Sequence, residues 1–105
     1  MNKEEIYQKA IDAWGIDSQL DMLAEECLEL ALAIRKLKRN VTNDTYNNVC
    51  EEYADVTIMM EQIKQCSEIH RNSKPFYTYK LERLWSRLEN QQEKESSKSG
   101  EQSSK

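Results

Sequence analysis

Apolar positions recur at helical spacing along most of this chain. Ile6, Ala10, Ala13 and Trp14 fall on one stripe, which predicts a first helix from about Lys3 to Trp14. Gly15 follows as a C′ residue, the position at which glycine commonly ends a helix. Asp17 or Ser18 stands where a cap for the next helix is needed, and Ser18 with Asp21 fits a loose capping box. That second helix is expected to reach about Arg39, because the basic run Arg35, Lys36, Lys38 and Arg39 suits a helix C-terminus. Its central turns are apolar on nearly every side, with Leu23, Cys27, Leu30 and Ile34 on one and Ala24, Leu28 and Leu32 on another. A helix of that kind is expected in the middle of a bundle, with Glu26 and Glu29 turned inward or into a cleft.

Residues 40–44 supply a connection and capping residues, after which a third helix is expected from about Asp44 to Cys66. Its apolar stripe is Val49, Val56, Met59, Met60 and Ile63, and Glu52 falls inside that stripe. Residues 70–75 interrupt the pattern. A fourth helix is expected to begin near Pro75 or Phe76, since proline suits a helix's first turn, and it carries Tyr77, Leu81, Leu84 and Leu88. From about Gln92 the chain turns polar and low in complexity, which predicts a disordered tail over residues 92–105 behind a folded domain over residues 1–91. The expected fold is all-α, a four-helix-type bundle. Four helices, one of them apolar almost all round, bury poorly alone, so a second copy of the chain is expected to complete the core.

The whole-chain figures agree with this pattern. A length of 105 residues allows one domain, and 32% charged residues with only two Gly and one Pro read as helical. The net charge of −4 argues against a nucleic-acid surface, which needs a basic balance. No apolar run approaches the roughly 18 residues of a membrane span, and the first ten residues hold no secretory core, so no membrane association is expected. Cys27, Cys50 and Cys66 are odd in number and lack CxxC spacing, which reads as reduced, helix-packing thiols in a cytoplasmic protein.

Two carboxylate pairs then change the picture. Glu26 and Glu29 stand three apart on the second helix, and Glu52 and Asp55 repeat the spacing on the third. Residues three apart share a helix face, so each pair aims two acids at one region. Solvated acids usually find a Lys or Arg three or four positions away. Glu26 instead has Met22, Leu23, Glu29 and Leu30 at those positions, and Asp55 has Glu51, Glu52, Ile58 and Met59. Glu29 and Glu52 are equally without a cation along their own helices. A bound divalent cation is the simplest positive partner, and an all-oxygen donor set selects Mg²⁺, with Mn²⁺ as a substitute, or Ca²⁺. Such ions neutralise phosphate oxygens and acidify water for attack on phosphorus. Glu25 precedes the first pair and is a candidate general base that orients the attacking water, or else a solvated acid.

Other chemistries fit less well. A di-iron bundle needs Glu-x-x-His on two helices, whereas the one histidine, His70, has Ser67 three residues before it. No EF-hand loop, phosphate-binding glycine loop or nucleophile elbow occurs. On the fourth helix Lys80, Arg83 and Arg87 form a basic stripe, readable as a solvated face or as a phosphate clamp. Trp14, Tyr53, Phe76, Tyr77 and Tyr79 are available to stack on a base, although aromatics at helical spacing more often pack inward.

The run Glu25-Glu26-Cys27-Leu28-Glu29, followed after twenty-two residues by Glu52-Tyr53-Ala54-Asp55, resembles the MazG-like family of all-α nucleoside triphosphate pyrophosphohydrolases. Trp14-Gly15 ahead of Gln19-Leu20, Glu29-Leu30 and Asp55-Val56 extend the likeness over roughly residues 10 to 65. The resemblance implies hydrolysis of a nucleoside triphosphate at its α–β phosphoanhydride, giving a monophosphate and pyrophosphate in nucleotide-pool house-cleaning. It implies Mg²⁺ held by Glu26, Glu29, Glu52 and Asp55, a water-orienting role for Glu25, and a homodimer or homotetramer. Lys80, Arg83, Trp14 and Gln19 are the candidate substrate contacts. The rival expectation is a non-catalytic helical interaction or regulatory module that keeps the fold.

Overall fold

A computed structural model describes residues 1–103, with side chains described through residue 97. Among these residues the chain is all-helical: α1 (Lys3–Trp14), α2 (Ile16–Arg39), α3 (Asn43–Cys66) and α4 (Ile69–Ser103). No helix in this range is long and apolar enough to cross a membrane. By internal packing the chain divides into two units, Met1–His70 and the residues from Arg71 onward.

Local chemistry accounts for most of the helix ends. Asn2 caps α1 by accepting the Glu5 amide at 2.8 Å, and Glu4 and Glu5 sit at the positive end of the helix. Gly15 joins α1 to α2 in a single residue. Its amide donates to the Ile11 carbonyl at 2.8 Å, and its backbone lies at φ 84°, ψ 158°, a region essentially reserved for glycine. The expected cap at Asp17 or Ser18 is therefore not used. The glycine already turns the chain, so α2 starts at Ile16 without a side-chain cap, and Asp17 falls in its first turn. α3 begins at Asn43 behind a reciprocal capping box, in which Thr42 Oγ1 accepts the Thr45 amide and Thr45 Oγ1 accepts the Thr42 amide. The Thr45 hydroxyl donates onward to the Asn40 carbonyl at 2.7 Å and so closes the short α2–α3 connection.

Within the first unit α2 and α3 make the principal contact, and α1 packs on both, more on α3 than on α2. Tyr7 on α1 donates its hydroxyl to Glu61 on α3, and Lys3 Nζ lies 3.5 Å from the same carboxylate. One turn away, Gln65 Nε2 donates to the Glu4 carbonyl at 2.8 Å. The buried apolar side chains are Tyr7, Ala33, Met59 and Ile63. Several expectations about burial are corrected. α2 buries only Gln19 and Ala33, while Leu28 and Leu32 are more than half exposed, so α2 is not the enclosed middle of a bundle within a single chain. Met60 leaves the α3 stripe for solvent, and Cys27 and Cys50 are exposed rather than packed. All three cysteines are free thiols.

The second unit is the body of α4. The helix begins at Ile69, not near Pro75, and holds Pro75 in its interior. Ser67 ends α3 by donating its hydroxyl to the Ile63 carbonyl and accepts the Ile69 amide at 3.3 Å, which starts the new helix early. Pro75 brings no amide to the helical ladder, a weak point that the flanking turns carry. Phe76, Tyr77, Leu81, Leu84, Trp85 and Leu88 are all exposed in the single chain. The backbone stays helical past residue 92 through Ser103, where a disordered tail was expected; residues 104 and 105 lie outside the described range.

The Gly15 linkage generates a prediction. A Cβ at this position meets nothing within 4 Å, so Gly15→Ala tests the backbone alone. The substitution is expected to lower stability by about 1–3 kcal/mol, read as a smaller urea midpoint at unchanged slope. An unchanged midpoint would mean that the turn relaxes without strain.

Candidate functional site

The two carboxylate pairs meet across the α2–α3 contact. Residue numbers rise along one helix as they fall along the other: Glu26 lies beside Asp55 and Glu29 beside Glu52, close enough for the paired carboxyls to hydrogen-bond when one holds a proton. Glu26, Glu52 and Asp55 each bring an oxygen within 4.8 Å of the others. Glu29 stands outside that tightest group, but its charge acts on both Glu26 and Glu52. Glu25 is exposed one residue ahead of Glu26 and adds to the negative field there.

Glu26 and Glu52 are half-buried, and each has an oxygen, Oε2, closed off from solvent with no hydrogen-bond partner. Enclosure raises the Glu26 pKa above the ordinary carboxyl value, and the charges of Asp55, Glu29 and Glu25 add to it. Glu52 is raised in the same way, first by enclosure and then by Glu29. Among the described residues no cation contributes to the raised pKa of Glu26 or Glu52, and the Lys3–Glu61 ion pair lies toward the far end of α3. Three convergent carboxylates suit a hard divalent cation, and the two enclosed, unpartnered oxygens are the atoms such an ion would satisfy. The residues present thus fit the ion that the resemblance implies.

The remaining candidates are dispersed. Trp14, 66% exposed, and Gln19, 5% exposed, line an apolar groove between α1, α2 and α3. Lys80 and Arg83 are exposed on α4, in the second unit. Two features escaped the sequence reading. Gln62 is 4% exposed and its Oε1 has no partner. Its signal was legible, since it stands seven residues beyond Asp55, within the apolar stripe of α3, as Glu52 does. The Tyr7–Glu61 bond had no such signal, because the two residues are 54 positions apart.

The raised carboxyls generate a prediction with a definite sign. For an acid raised by folding, the protonated form is favoured in the folded state. Stability from Glu26 and Glu52 therefore falls as pH rises from the ordinary carboxyl value through their raised values. Glu61, lowered chiefly by the Tyr7 hydrogen bond, acts oppositely, and its contribution is lost only as pH falls through its lowered value. The metal-free protein is expected to melt higher at about pH 5 than at about pH 8. Glu52→Gln should flatten that slope and melt higher than the parent at neutral pH. A parental curve that rises with pH, or a variant with the same slope, would refute mutual repulsion in the cluster.

No protein-family model, curated protein or solved structure matches this chain, so the function of the site is argued from its own residues.

Proposed function

We propose that this chain is a Mg²⁺-dependent nucleoside triphosphate pyrophosphohydrolase of the MazG-like kind. The observation that carries the reading is the meeting of two ExxE/D pairs on one seam, with Glu26 Oε2 and Glu52 Oε2 enclosed and unpartnered. The motif order along the chain, EExxE then ExxD, supports the same assignment.

In this reading Glu26, Glu29, Glu52 and Asp55 hold the ion. When bound, Mg²⁺, or Mn²⁺ in its place, offsets phosphate charge and makes water more acidic. Glu25, exposed beside the seam, accepts the proton of the attacking water and orients its lone pair toward the α-phosphorus. The bond from that phosphorus to the α–β bridging oxygen breaks as the new one forms. The products are a nucleoside monophosphate carrying the water's oxygen and an intact pyrophosphate. The seam itself repels a bare triphosphate, so the acids favour catalysis only with a cation present.

The reading includes a homodimer or homotetramer. Leu28 and Leu32 on α2 and Tyr53 and Met60 on α3 are more than half exposed, an apolar area that a second copy would cover.

Three measurements test the proposal. Millimolar Mg²⁺ or Mn²⁺ should raise the melting temperature of the parent by linkage, and less so in Glu52→Gln; indifference to both ions would count against a metal site. Turnover in ¹⁸O-water should place the label on the monophosphate, whereas orthophosphate as the first product would sink the assignment. Glu29→Ala and Asp55→Ala should each abolish turnover while the helices stay folded, because removing one of several like charges strands no opposite partner. The absence of turnover on any nucleotide would favour an interaction module.

A further inference from the structure

We infer that the groove between α1, α2 and α3 receives the base of the nucleotide, and that Gln62 reads a hydrogen-bond donor on the base's edge. The kind of ligand rests on the pyrophosphohydrolase reading; the groove stands on its own geometry. Its volume is about 640 Å³, within the range of small-molecule sites, and its walls are mostly apolar, including Trp14, Met22, Ile58 and Met59. A flat heterocycle needs walls of this sort, with few polar groups to fix its orientation.

Continuity with the acid seam argues for a nucleotide. Met22 is four residues before Glu26 and Met59 four after Asp55, so the groove opens one helical turn beyond the acids. Gln19 and Gln62 lie a further three residues along their helices, about 10 Å from the Glu26 and Asp55 level at the helical rise. A ribose bridges a separation of that order between base and α-phosphate. The same antiparallel register therefore sets phosphate chemistry and base recognition on consecutive turns.

Gln62 decides between possible occupants. It is 4% exposed, lines the groove, and holds Oε1 closed off from solvent without a partner. An apolar side chain from a second copy of this chain would fill the groove and leave that acceptor unsatisfied, which is costly. A base carrying a ring or exocyclic N–H would satisfy it once the Gln62 amide turns toward the groove. Tyr7 offers no substitute, because its hydroxyl is already donated to Glu61. Trp14, exposed at the groove, supplies a face for stacking.

The test uses the full-length protein, ¹⁵N-labelled throughout and ¹³C-labelled at the methionine methyls, in the presence of a chelator. The probes are uridine, cytidine, adenosine and guanosine, together with analogues methylated so that the base edge has no N–H. Of the four methionines, Met22 and Met59 line the groove and Met1 and Met60 do not. At least one nucleoside should shift the Met22 and Met59 methyls and the Gln62 side-chain amide, while Met1 and Met60 stay put. Its methylated analogue should bind at least about tenfold more weakly, and Gln62→Leu should erase the difference between the two. If that variant fails to fold, the comparison of parent and analogue still decides. Methyl shifts that follow protein concentration alone would assign the groove to a second copy and overturn the inference. So would turnover of triphosphates without any nucleoside response at these methyls, with the pyrophosphohydrolase reading left standing. Nucleoside binding without turnover would instead remove that reading and keep the groove as a base site.

Discussion

Repulsion between carboxylates across the α2–α3 seam is the constraint around which this protein is organised. The antiparallel register brings Glu26 to Asp55 and Glu29 to Glu52 with no cation among the described residues to separate them. Enclosure of Glu26 and Glu52 strengthens the repulsion, because a charge removed from water is less screened by it. A chain selected for stability alone would alternate acids with bases along such a seam, as solvated helix faces do. The helices are instead held together by contacts at some distance from the acids.

Those contacts lie toward the α1 end of the unit. Tyr7, Lys3 and Glu61 form a polar clasp that pins α1 on α3, with the Gln65 side chain bonded to the Glu4 carbonyl beside it. Tyr7, Met59 and Ile63 supply the buried apolar area on that side, and Ala33 marks the other end of the α2–α3 contact. The acid seam sits between these anchors. Neighbours so placed hold the helices together without any contribution from the acids. The groove lined by Gln19 and Gln62 falls between seam and clasp, where close helix packing gives way to a gap.

Burial in the single chain is modest for the amount of apolar surface it carries. Leu28 and Leu32 on α2, Tyr53 and Met60 on α3, and a row of aromatic and leucine residues on α4 all face solvent. Exposed apolar side chains in this number usually have a partner. The α4 row from Tyr77 to Leu88 repeats at spacings of four and three, the seam pattern by which helices pair.

The helical class, the extent of α1 and α3 and the four seam acids were legible in the sequence, because each is a local property. Periodicity is set within a few turns, and ExxE and ExxD fix their own shared face. The single-residue turn at Gly15 was legible only in part, since a glycine signals a helix end but not that the next helix starts at once. The start of α4 was missed because proline weighs heavily in local statistics, while the hydrogen bonds of Ser67 had already begun the helix six residues earlier. Tertiary structure alone decided the rest. Which acid faces which, the enclosure of two carboxylate oxygens, the Tyr7–Glu61 clasp and the stranding of the Gln62 acceptor all depend on how far one helix slides along another. That slide is set by the sum of many weak contacts between residues distant in the chain, and no short window of sequence contains it.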